Sequence, residues 1–159
     1  MLQVTILGVG NILLQDEGFG VRVVEQLSER YVFPDSVQVL DGGTLGMELV
    51  SFLLETEKLI LVDAILGSGL PGSFYCYRNG AVNTYMAEKA SMHGVGMQEI
   101  LKVLELMEKS IPEIVVMGVQ PLSLEAGTEL SVPVQIQVNR VMDEVVSCLK
   151  QWQIAVDLK

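Results

Sequence analysis

Apolar residues along the chain fall into short runs separated by stretches of helical spacing. Gln3 to Leu7 is a β-rich run closed by Gly8-Val9-Gly10-Asn11, after which Val21, Val24, Leu27 and Tyr31 recur at three- and four-residue intervals, as on one helix face. Val37 to Leu40, closed by Asp41-Gly42-Gly43, predicts a second strand, and Met47 to Leu54 a second helix. Lys58 to Val62 (KLILV) is almost continuously apolar, as expected of a strand buried on both faces, and predicts the central strand. Phe74 to Arg78 reads as an edge strand, a position where an antiparallel strand fits. Met97, Ile100, Leu101, Leu104 and Met107 form a helical stripe, and Ile114 to Val119 another buried strand. Val138, Val141, Met142, Val145 and Leu149 form a closing helix, with Pro133 suited to its first turn. Strands alternating with helices predict a doubly wound α/β fold: three layers, a mostly parallel five-stranded sheet with helices on both faces.

Composition narrows the class. A length of 159 residues suits a single domain over 1–159, and 50 % hydrophobic against 19 % charged residues excludes a disordered chain. The formal net charge of -10 repels a phosphate backbone and argues against nucleic acid as a partner. Met1 to Gln15, the longest uncharged stretch, is shorter than the ~18 apolar residues of a membrane span. It has neither the basic flank nor the cleavage site of a leader, so the expected compartment is the cytoplasm. Cys76 and Cys148 stand far apart and form no C-x-x-C motif, which reads as two reduced packing residues. Neither an internal repeat nor a linker divides the chain.

In a parallel sheet, ligands bind beyond the carboxyl ends of the strands, so acidic residues at strand ends are candidates. The first strand leads to Asp16 and Glu17, the second ends at Asp41 and the third at Asp63. His93, the single histidine, precedes the Met97 helix, from which a crossover brings it to the same edge. Each has a structural alternative. Asp16 reads first as the cap of the following helix, and Glu17 taken alone as a first-turn residue favoured by the helix dipole. Asp41 before two glycines is equally a turn former and a functional group. Asp63, embedded in KLILVDAIL, needs a partner, a metal or a shifted pKa, which favours function. Gly18 and Gly20, each costing ~1 kcal/mol in a helix, signal a close approach either by the sheet or by a substrate. Two carboxylates with one imidazole suit a divalent transition metal such as nickel or zinc. H-E-x-x-H and G-x-S-x-G motifs are absent, and Gly8-Val9-Gly10 starts a dinucleotide fingerprint whose third glycine position holds Leu13.

Four further stretches carry a resemblance: Gly8 to Gly20 (GVGNILLQDEGFG), Leu40 to Leu49 (LDGGTLGMEL), Val62 to Ala64 (VDA) and Ser91 to Gly94 (SMHG), joined by Gly118 to Glu125 (GVQPLSLE). Together they resemble the hydrogenase maturation endopeptidases along nearly the whole chain. The resemblance implies a cytoplasmic endopeptidase of phosphorylase/hydrolase-like fold that trims the C-terminal extension of a nickel-iron hydrogenase large-subunit precursor after nickel insertion. It implies Glu17, Asp63 and His93 as metal ligands, with the nickel supplied by the precursor. A carboxylate would handle the proton, with Asp41 the secondary candidate and Asp16 behind it. No membrane partner is expected, and a monomer is compatible with the sequence. A non-cleaving nickel-site chaperone using the same ligands, and a nucleotide-binding enzyme using the Gly8 loop, are the alternatives.

Overall fold

Five of the apolar runs pair into one sheet in the computed structural model, which describes residues 3–43, 45–90 and 96–159. In chain order the elements are β1 (Val4–Val9), a 3-10 turn over Gln15–Gly18, α1 (Phe19–Arg30), β2 (Tyr31–Val32), β3 (Val37–Gly43), α2 (Leu49–Leu53) and β4 (Lys58–Ala64). There follow β5 (Phe74–Arg78), α3 (Gly80–Ala90), α4 (Met97–Leu106), β6 (Glu113–Val119), α5 (Val132–Gln135), α6 (Val138–Gln151) and β7 (Asp157–Leu158). The sheet order is β3-β1-β4-β6-β5, parallel throughout except for the edge strand β5, which runs antiparallel to β6. KLILV is therefore the middle strand, as its unbroken apolar run predicts.

Side-chain alternation along each strand feeds two cores. Val4, Ile6, Ile60, Val62, Val115 and Met117 pack with Phe19, Val23, Leu27, Val141, Val145 and Leu149, so α1 and α6 cover one face. Leu7, Leu59, Leu61 and Val116 pack with Leu49, Leu53, Val82, Tyr85, Ile100 and Leu104, so α2, α3 and α4 cover the other. The layered α/β architecture expected from the pattern is the one observed.

Three local expectations change. Tyr31 leaves the first helix to begin β2, which pairs antiparallel with β7 near the C-terminus. Pro133 sits at the start of a separate short helix, α5, ahead of the closing one. Helix α3 was not anticipated: its stripe is weak, with Asn83 and Thr84 inside it and Val82, Tyr85 and Met86 the buried ones among its described side chains.

The close approach signalled by glycine is helix on sheet. A Cβ on Gly20 would lie 2.1 Å from the Val62 carbonyl oxygen and 2.7 Å from that of Val9. A Cβ on Gly8 would lie 2.2 Å from the Gly20 oxygen, so the two glycines let the start of α1 rest directly on β1 and β4.

Candidate active site

Alternation along β4 decides where Asp63 points. Ile60, Val62 and Ala64 belong to the α1 and α6 side, Leu59 and Leu61 to the other, so Asp63 turns toward α3. Its neighbour in register on β6 is Gly118, which puts no side chain beside it. Asp63 is fully buried. Its Oδ1 accepts the Ala64 N–H at 2.9 Å, and its Oδ2 accepts a short hydrogen bond from the Tyr85 hydroxyl. Tyr85 is 5 % exposed. Burial first, then the charge and hydrogen bond of Asp63 and the charge of Glu17, push its phenol well above the ordinary value, so it stays a donor at neutral pH. Sequence reasoning missed Tyr85, although Val82, Tyr85 and Met86 stand at the i, i+3, i+4 spacing of a buried helix face.

Glu17 reaches the same corner from the 3-10 turn, which packs against β4. It is 4 % exposed, and its charge is felt at the Tyr85 hydroxyl. The loop after β1 passes tightly over this turn. Gly10 adopts φ +122°, and a Cβ there would stand 1.8 Å from the Glu17 carbonyl oxygen. A side chain is excluded on both counts. The two glycines of the incomplete dinucleotide fingerprint are thus accounted for by chain packing.

Asp16 faces elsewhere. No side-chain cap bonds the turn or α1, contrary to the capping reading. Instead its Oδ1 accepts the Ser131 N–H at 2.8 Å, while Oδ2 accepts the N–H groups of Leu122 and Ser123 at 2.9 and 3.1 Å and the Ser131 hydroxyl at 2.7 Å. Burial raises its pKa, but these donors outweigh burial and hold the carboxyl below its usual range. Asp16 is a brace for the 122–131 segment.

Asp41 is exposed on β3. It pairs in register with Gly8, and β1 lies between it and β4, which separates it from Asp63 by two strand spacings, about 10 Å. His93 and Thr44 lie outside the described residues. Among the described residues no three His, Cys, Asp or Glu side chains gather as a metal site; of the three expected ligands, Glu17 and Asp63 are described and both are buried. Gln120, from the late GVQP stretch, accepts the Gly67 N–H at 2.7 Å and the Tyr75 hydroxyl at 3.0 Å, which braces the loop that follows Asp63. Cys148 is buried in the core and Cys76 is exposed, neither part of this corner.

Glu17 and Asp63 are both removed from water here, and a buried carboxylate needs hydrogen bonds, a countercharge or a cation to offset its lost hydration. Carboxylate oxygens of this kind fit a hard or borderline divalent metal ion.

The family model described as hydrogenase maturation protease matches residues 21–148. The hydrogenase expression/formation protein HupD of Bradyrhizobium diazoefficiens is 40 % identical over 156 residues, 97 % of this chain and 81 % of that protein. The hydrogenase 2 maturation protease of Escherichia coli K12 is 36 % identical over 151 residues, 94 % of this chain and 92 % of that protein. Among solved structures, the hydrogenase maturating endopeptidase HybD from E. coli superposes with a TM-score of 0.92 at 34 % identity, covering 99 % of this chain and 98 % of that one. The hydrogenase maturation protease HycI from Thermococcus kodakarensis does so at 0.74 and 27 %, covering 93 % and 92 %. With its sheet order, its buried acidic corner and these likenesses together, the chain belongs to the hydrogenase maturation protease family.

Proposed function

We propose that this peptidase removes a C-terminal extension from the nickel-loaded large-subunit precursor of a nickel-iron hydrogenase in the cytoplasm, with Glu17, Asp63 and His93 engaging the nickel carried by the precursor. The observation that carries the reading is the burial of Glu17 and Asp63 at one corner of the carboxyl edge, with the Tyr85 hydroxyl between β4 and α3. Three protein donors leave coordination positions for the substrate's own metal site. The ion, part of the substrate, then polarises the scissile carbonyl, and a carboxylate takes the proton of the attacking water. Asp41, exposed on β3 two strand spacings from Asp63, is the candidate for that proton or for holding the peptide. Asp16, whose carboxylate already accepts four hydrogen bonds, acts by holding the 122–131 segment.

A macromolecular substrate is supported by the loops around the corner. Leu13 follows β1, Leu45 and Met47 follow β3, Leu66 and Leu70 follow β4, and Leu122 follows β6; all are exposed, Leu70 to 81 %. These strands are parallel, so the exposed apolar residues share the edge that holds the acidic corner.

The test is to mix purified enzyme with precursor made with and without nickel and to follow the large subunit's mass. Loss of the extension from the nickel-loaded form alone is expected. Equal trimming of both forms refutes nickel recognition, and an unchanged mass in both assigns the chain a non-cleaving nickel-site role instead.

A further inference from the structure

The buried corner contains a side chain that the ligand set does not explain. Tyr85 sits in the α2, α3 and α4 core, where a phenylalanine would fill nearly the same volume. Its ring lies 6.1 Å from that of Tyr77, so the apolar part of the residue is accounted for by packing. Its hydroxyl is not. A buried phenol commonly satisfies itself on a main-chain carbonyl or water, yet this one donates to a fully buried carboxylate at the end of the central strand. The other oxygen of that carboxylate is tied to the Ala64 N–H.

We propose that Tyr85 is a positioning residue for Asp63: the hydroxyl on Oδ2, with the Ala64 N–H on Oδ1, fixes the carboxylate plane for a divalent cation. Without the hydroxyl, Asp63 loses one of the donors that order it, and a cation must supply that part of the ordering itself. Donors to metal-bound carboxylates typically matter by ~10–100-fold in affinity or activity. Helix α3 gains a role by this route. It presents Tyr85 to β4 and then leads, within eight residues, to His93 in the sequence, so one segment carries both the orienting group and the third proposed ligand.

This inference rests on the proposed reading of Asp63 as a ligand, and the experiment separates the two. Wild-type protein, Tyr85→Phe, Tyr77→Phe and Asp63→Asn are titrated with Co²⁺ up to millimolar concentration, following its visible bands, with circular dichroism to verify the fold. Tyr85→Phe is expected to weaken cobalt binding about 10–100-fold and to shift the bands, while Tyr77→Phe, which keeps the Tyr85 hydroxyl, leaves both unchanged. Wild-type affinity and bands in Tyr85→Phe, with binding lost in Asp63→Asn, overturn the positioning role alone. Unaltered binding in Asp63→Asn overturns the ligand reading beneath it. Failure of the wild type to bind cobalt also overturns this inference, whereas processing of nickel-loaded precursor continues to test the ligand reading independently. If Tyr85→Phe is not recovered folded, Tyr85→Met, an adaptable filler without a donor, is read in its place.

Discussion

Replacing Gly20 with alanine tests whether the acidic corner depends on how closely α1 lies on the sheet. The added Cβ would stand 2.1 Å from the Val62 oxygen and 2.7 Å from the Val9 oxygen. Ordinary contact begins near 3.4 Å, so the helix must retreat by about 1 Å, because both obstacles are main chain in the centre of the sheet and neither can swing aside. Overpacking of this kind costs about 1–3 kcal/mol, and the rigidity of the obstacles argues for the upper end. Alanine returns ~1 kcal/mol of helix propensity, leaving a net loss of about 2 kcal/mol. For a chain of this size that is a fall of about 4–8 °C in Tm. Gly80→Ala is the matched control, since a Cβ there meets nothing within 4 Å. Thermal melts of the three proteins by circular dichroism decide the matter. The retreat also moves the turn that carries Glu17, which joins directly onto α1, so precursor cleavage by folded Gly20→Ala is expected to fall as well. A Gly20→Ala protein that melts with the wild type would refute the contact argument.

Other outcomes follow from the same geometry. Asp16→Ala strands four donors at once and is expected to cost about 3 kcal/mol, read from guanidinium unfolding. Because the folded pKa of Asp16 lies below its unfolded value, its stabilisation is complete above about pH 4 and is lost as pH falls through the folded value. Acid unfolding of Asp16→Ala should accordingly lack part of the steepness seen in wild type, and identical acid transitions would contradict the brace. Glu17→Gln, Asp63→Asn and His93→Ala should each reduce cleavage of nickel-loaded precursor by at least about 100-fold in protein whose circular dichroism is unchanged. Processing by Asp63→Asn at the wild-type rate would return that carboxylate to a structural role.

The layers were legible in the sequence because they rest on apolar periodicity, which burial imposes directly: KLILV declares a central strand, and the Val138 to Leu149 stripe declares a helix with one buried face. Helix α3 was hidden because, among its described side chains, the buried ones are Val82, Tyr85 and Met86, while Asn83 and Thr84 between them face out. With the helix went Tyr85, whose importance comes from a partner 22 residues away on a strand. Gly20 could be read as a close approach but not as an approach by the sheet, since the obstructing oxygens belong to β1 and β4, elements that are remote in sequence from each other. Pro133 fits a helix start in either place; the break between α5 and α6 depends on tertiary packing that spacing does not encode.

The adjacent acids Asp16 and Glu17 show why residue type alone does not assign chemistry. A 3-10 turn advances three residues per turn, so neighbouring side chains diverge by about 120°. One of the pair therefore faces the 122–131 segment and the other the end of β4. Both are buried, so burial does not separate them. The donors do. Asp16 receives four hydrogen bonds, three on Oδ2 and one on Oδ1, which stabilise its charge without any ligand. Asp63 accepts the Ala64 N–H and, at the end of β4, the hydroxyl of Tyr85, where the charge of Glu17 is also felt. A carboxylate whose donors come from a loop's main chain builds the wall of the site, and the buried Glu17 and Asp63 at the end of β4 are the pair proposed to bind.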